Sequence, residues 1–188
     1  SIRTILFAMP SVNDNNMRCF LAYGVVVRTD LDLSRYLPLA SRETTTVTVV
    51  EGCTGFTGRD LSHAMQLHPS HGRELSIFSG GEFGVRLKDE TWCFVVKDVA
   101  RFCWRGGDSK IHFERLVEGS EELLAFWLIH IFLPLWFTLE GRYEFFHACS
   151  VEIDEAPVLF IAPSMGGKST LTDFFLRKGH DLVSDDKV

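Results

Sequence analysis

The stretch Val158-Leu-Phe-Ile-Ala-Pro-Ser-Met-Gly-Gly-Lys-Ser-Thr170 sets the fold class of this chain. Its apolar start, Val158 to Ile161, predicts a buried strand. A turn of small residues follows, and then an amphipathic segment that runs from Lys168 to Arg177-Lys178-Gly179 and predicts a helix. Strand, glycine-bearing turn and helix in that order form the setting of a phosphate-binding loop. The N–H groups of such a turn, with the helix N-terminus, hold fixed partial positive charge toward phosphate. Lys168 adds a mobile full charge, and Ser169 a hydroxyl suited to Mg²⁺. Against the pattern GxxxxGK[ST], residues 162–169 depart at the first position, Ala162. Met165 stands where many such loops carry glycine, so Gly166 is expected to take the positive-φ role one residue later. The candidate nucleotide contacts are therefore Ala162, Pro163, Ser164, Met165, Gly166, Gly167, Lys168, Ser169 and Thr170.

Two flanking clusters extend the site. Asp185 and Asp186 follow the apolar segment Asp181–Ser184, which reads as a parallel strand with the acids at its C-terminal edge. Ligands of open α/β sheets bind outside that edge. A carboxylate there can bind Mg²⁺, orient water or accept a proton from an attacking hydroxyl, and a solvated acidic turn is the plainer alternative. Upstream, His147 lies in Phe145-Phe146-His147-Ala148, where a lone histidine among aromatics reads first as a core residue. Cys149 has no base beside it in sequence and reads as a buried, inert thiol.

Composition bounds the rest. The 188 residues suffice for one large domain or two small ones, and 46% apolar with 23% charged residues are ordinary globular values. A net charge of −6 without a basic stripe argues against nucleic-acid binding. Five cysteines, widely spaced and without a CxxC pair, suggest reduced thiols in a cytoplasmic protein rather than a disulfide framework or zinc site. No secretory signal opens the sequence, although it starts at Ser1 rather than at an initiator Met. Leu123 to Leu139 is uncharged, but it contains His130 and Pro134 and is shorter than the about 20 apolar residues of a membrane span. It reads as a core helix, so no membrane partner is expected.

Before that helix the pattern is β-rich. Phe20–Val27 and Thr44–Val50 read as strands, Asp30–Leu39 as a loop with a short turn, and 51–72 as loop. His63, His68 and His71 within it match no ligand spacing and read as solvated. Leu75–Phe78, Phe83–Leu87, Trp92–Val96, Ala100–Trp104 and Ile111–Leu116 predict a meander of antiparallel strands. Ser120 is the expected N-cap of a helix reaching about Leu139, kinked or ended near Pro134. The expected organisation is mixed, α+β with an α/β element. A β-rich domain over 1–118 is followed over 119–188 by a helix and the first part of a P-loop domain.

Three ordered segments resemble the catalytic domain of HPr kinase/phosphorylase: His147-Ala-Cys-Ser-Val-Glu-Ile-Asp154, the loop Ala162–Thr170, and Arg177-Lys-Gly-His-Asp-Leu-Val-Ser-Asp-Asp186. The separations agree as well, with His147 21 residues before Lys168 (168 − 147) and Asp186 18 after it (186 − 168). The earlier segments Ala22-Tyr23-Gly24, Leu31-Asp-Leu33 and Val99-Ala-Arg-Phe102 look more like HPr-kinase-related proteins of peptide-modifying gene clusters. The resemblance implies ATP and Mg²⁺ as cofactors and a protein or peptide carrying a serine as partner. It also implies Lys168 on the β- and γ-phosphates, Ser169 on Mg²⁺, Asp186 as proton acceptor and His147 beside the phosphates. Asp185 is the second candidate metal ligand, and a homo-oligomer is compatible with the family. Since the family carries a metal-binding Glu and an Arg downstream of the acidic pair, the chain is expected to be a truncated piece of a longer protein. The alternative expectation is a nucleotide-responsive module that binds without phosphoryl transfer.

Overall fold

The computed structural model describes residues 16–41, 47–52, 61–83, 89–116, 120–163 and 165–187. The expected strand Phe83–Leu87 lies outside them after Phe83, as do the start of Thr44–Val50, residues 53–60 of the expected loop 51–72, and Ser164. The chain divides between Leu133 and Pro134 into two compact units. The fold is mixed α+β, with one eight-stranded sheet, one three-stranded sheet and few helices.

The first unit holds β1 (Arg18–Ala22), β2 (Val25–Thr29), β3 (Val47–Glu51), β4 (His63–Ser70), β5 (Arg73–Ser79), β6 (Thr91–Val96), β7 (Ala100–Arg105) and β8 (Lys110–Arg115). Their order in the sheet is β1-β2-β3-β8-β7-β6-β5-β4. The meander expected from Leu75 onward is present, as β5 to β8 pair antiparallel in succession. β3 enters parallel to both β2 and β8 and makes the sheet mixed.

Two expectations are corrected here. Phe20–Val27 is two strands: Tyr23 (φ 51) and Gly24 (φ 74) make the paired left-handed turn that matches hairpin twist. Residues 63–70, expected as loop, form the edge strand β4, paired with β5. It shows no apolar period because nearly all of it is exposed or half-buried, so the backbone ladder rather than a core face holds it. Two of the three histidines expected in a loop are accordingly strand residues. His63 and His68 are in β4, and His71 (φ 48) sits in the β4–β5 turn with its ring edge-on to Phe126 at 5.0 Å.

Helix α1 spans Glu121–Leu139 and begins, as expected, at Ser120, whose side chain accepts from the Leu123 N–H. It is long and apolar enough to cross a bilayer by length and composition, but much of it is buried, including Leu124, Ala125, Trp127, Leu128, Ile129, Phe132 and Leu133. Phe132 stacks on Phe102 at 4.4 Å and on Phe94 at 5.9 Å, and meets Trp104 edge-on at 5.5 Å. This aromatic cluster joins the helix to β6 and β7. Over Leu128–Phe132 the helix widens to π geometry, and the Leu133 N–H reaches the Leu128 carbonyl. The disturbance falls immediately before Pro134, which has no N–H to give.

The second unit contains β9 (His147–Ile153), β10 (Ala156–Ile161), helix α2 (Lys168–Arg177) and β11 (Leu182–Lys187), with sheet order β10-β9-β11. The strand–strand–loop–helix–strand order matches expectation; the pairing does not. β11 was expected as a strand of a parallel sheet, but it pairs antiparallel with β9. It runs parallel only in direction to β10, which lies on the far side of β9. β10 was expected to be buried, yet Leu159 and Ile161 are exposed, because β10 is the edge strand.

Candidate functional site

The β9–β10 hairpin sets the geometry. Asp154 (φ 52) and Glu155 (φ 62) form its two-residue turn, and the ladder then runs from Ala156 opposite Ile153 to Ile161 opposite Ala148. Phe160 stacks on Phe175 at 5.4 Å and seats α2 against β10. His180 closes the return: its ring is 5.4 Å from Phe175, and its Nδ1 is 3.1 Å from the Glu152 carbonyl.

Between β10 and α2 the loop is tight. The Gly166 N–H donates to the Pro163 carbonyl at 2.9 Å. A Cβ at Gly166 would stand 2.9 Å from both the Ala162 Cβ and the Pro163 carbonyl oxygen, so the turn has no room for a side chain. The left-handed positions are Met165 (φ 64) and Gly167 (φ 84), a correction to the expectation for Gly166. Gly166 is required for space, whereas Met165 bears the strained conformation with its side chain wholly in solvent.

Gly167 caps α2 without a side-chain bond, and its carbonyl accepts the Leu171 N–H at 2.9 Å. The first turn carries no acid and the last turn ends in Arg177, leaving the positive end of the helix dipole uncompensated by a side chain within that turn. Lys168, half-buried, folds back so that Nζ donates to the Ala162 carbonyl at 2.7 Å and the Pro163 carbonyl at 3.2 Å. Ser169 and Thr170 are exposed in the same turn. Sequence reasoning missed Thr172, which is buried and donates to the Lys168 carbonyl at 3.0 Å, pinning the turn from beneath. Its signal was its position four residues after Lys168.

β9 brings the outlying residues to the same end of the sheet. Ile161, the last residue of β10, and Asp186 of β11 both stand opposite Ala148, one on each side of β9. Lys187 is opposite His147, and Asp185 is opposite Cys149. With about 4.8 Å between neighbouring strands, the start of the loop and Asp186 are about 10 Å apart across the sheet. Asp185 and Asp186 therefore lie within β11, where they had been expected just beyond the end of a strand. Cys149 is buried, as expected.

The residues present fit a phosphate-bearing ligand. They offer a turn packed too tightly for any side chain at Gly166, a helix N-terminus and a lysine whose amine already spans the loop mouth. Among the described residues, no group of three or more His, Cys, Asp and Glu side chains converges on one point. His63 and His71 instead bond Ser62 and Ser70, and His68 approaches the Pro69 carbonyl at 2.9 Å. Comparisons of the chain with protein-family models, with curated proteins and with solved structures found no match.

Proposed function

We propose that the chain is an ATP- and Mg²⁺-dependent serine kinase of HPr-kinase-like type, acting in the cytoplasm on a protein or peptide. The observation that supports this reading is the shared position of Ile161 and Asp186 across Ala148, which brings the start of the β10–α2 loop and an acidic residue to one end of one small sheet. Ser169 and Asp185 would hold Mg²⁺, which would neutralise the charge of the phosphoryl group that ATP would supply. The loop N–H groups and the α2 N-terminus bind and orient the phosphates. Lys168 exchanges the carbonyls of Ala162 and Pro163 for phosphate oxygens, trading neutral acceptors for charged ones. Asp186 accepts the proton of the serine hydroxyl, and His147 stands at the same sheet end.

A second reading, a nucleotide-responsive module without transfer, is favoured by Met165, a fully exposed large side chain at a left-handed position of the loop. Titration of Mg·ATP into the full chain, with label transfer to a serine-containing peptide library read in parallel, separates the two. Binding that is abolished in Lys168→Met, together with transfer, supports the kinase. Binding that Lys168→Met abolishes, without transfer in the native chain, supports the module. Undiminished binding in Lys168→Met removes the phosphate loop from both.

A further inference from the structure

The eight-stranded sheet contains a thiol pair that no phosphate chemistry uses. Cys93 of β6 and Cys103 of β7 are directly opposite each other, both buried, with their sulfurs 2.6 Å apart. That separation lies much nearer to the about 2.05 Å of a covalent S–S bond than ordinary packing of two thiols requires.

The backbone is set for closure as well. The Gly106 N–H donates to the Glu90 carbonyl at 2.8 Å, which marks Glu90 and Gly106 as a hydrogen-bonded pair at the end of the β6–β7 ladder. Pair types alternate along an antiparallel ladder, so Cys93 and Cys103, three pairs further in, occupy a non-hydrogen-bonded position. Opposite Cα atoms there are about 4.5 Å apart, inside the about 4.4–6.8 Å span that a disulfide bridges. Neither strand has to move far. The neighbouring pairs, Trp92 stacked on Trp104 at 5.9 Å and Phe94 stacked on Phe102 at 6.5 Å, hold the two strands in register on either side.

We propose that Cys93 and Cys103 are a modification site, a thiol pair that peroxide converts reversibly into a cross-strand disulfide locking the β6–β7 hairpin. One thiolate attacks hydrogen peroxide, breaking the O–O bond to give a sulfenic acid and, after proton transfer, water. The second thiol then attacks the sulfenic sulfur, the S–S bond forms, and a second water leaves. The two sulfurs are oxidised by two electrons in total and the peroxide is reduced by two. A dithiol restores both thiols by exchange.

The test treats the full chain, natively folded, with hydrogen peroxide, blocks remaining thiols by alkylation in denaturant, and maps tryptic peptides by mass. Cleavage after Lys88, Lys97, Arg101 and Arg105 separates the two cysteines into Asp89–Lys97 and Phe102–Arg105. The expected product is these two peptides joined, lighter by two hydrogens than their sum, and released by dithiothreitol. Cys93→Ser and Cys103→Ser should each lose it, but the native map decides alone if either variant misfolds. Recovery of both peptides as alkylated thiols, or of either cysteine joined to Cys19, Cys53 or Cys149 instead, overturns the proposal.

Discussion

The Tyr23 hydroxyl donates to the Ile129 carbonyl at 2.9 Å, across 106 residues of sequence. The reason lies in the helix. Leu133 gives its N–H to Leu128, and Pro134 has none, so neither residue that could serve Ile129 in α or π register does so. The tight turn at Tyr23-Gly24 delivers the missing donor from the β1–β2 hairpin. Tyr23→Phe therefore orphans a carbonyl in the π turn and should cost about 1–3 kcal/mol in urea unfolding. Pro134→Ala restores a helical N–H, so the same change should cost less in that background, a coupling that a double-mutant cycle measures.

Phe132 is the side chain through which α1 meets Phe94, Phe102 and Trp104. Phe132→Ala leaves a cavity among rings that cannot readily close over it. A loss of about 3–5 kcal/mol is expected, read from the denaturation midpoint at unchanged slope.

His112 supplies the pH dependence. Burial holds its pKa below the ordinary 6.5; the Gly52 carbonyl, 2.8 Å from Nδ1, opposes the shift and Lys110 adds to it. The unfolded chain then binds the proton more readily than the folded one, so stability is complete above pH 6.5 and declines as pH falls from there toward the lower folded value. His112→Asn should flatten that part of the profile. Urea midpoints taken on either side of pH 6.5 provide the check.

The two glycine-like positions of the loop should respond in opposite ways. Met165→Gly relieves a left-handed non-glycine residue and should raise stability by about 1 kcal/mol while leaving Mg·ATP affinity intact. Gly166→Ala drives a Cβ against Ala162 and Pro163 and should weaken Mg·ATP binding by at least about tenfold, equivalent to about 1.4 kcal/mol. Calorimetric titration of both variants measures the contrast.

Local signals made much of this structure legible. Alternating runs and glycine turns marked β5 to β8, Ser120 marked the start of α1, and Val158–Thr170 marked strand, loop and helix. What escaped was set by pairing. β4 is recruited by its neighbour rather than by its own exposed side chains, and the parallel entry of β3 joins residues far apart in sequence. A Tyr-Gly turn inside one β-prone run conceals two strands. In the candidate site the residue types were readable, but β9 sits between β10 and β11, and that order placed Asp185 and Asp186 inside a strand. No spacing rule states which glycine lacks room and which residue bears the left-handed turn; that depended on how Pro163 folds back over Gly166.

The most direct test of the kinase reading compares the native chain with Asp186→Asn, measuring Mg·ATP binding and transfer of the terminal phosphoryl label to a serine peptide library in the same samples. The account predicts equal binding, with transfer by Asp186→Asn reduced by about 10²–10⁴-fold through loss of the proton acceptor. Transfer at the native rate by Asp186→Asn, or binding by the native chain with no transfer to any serine peptide, would contradict it.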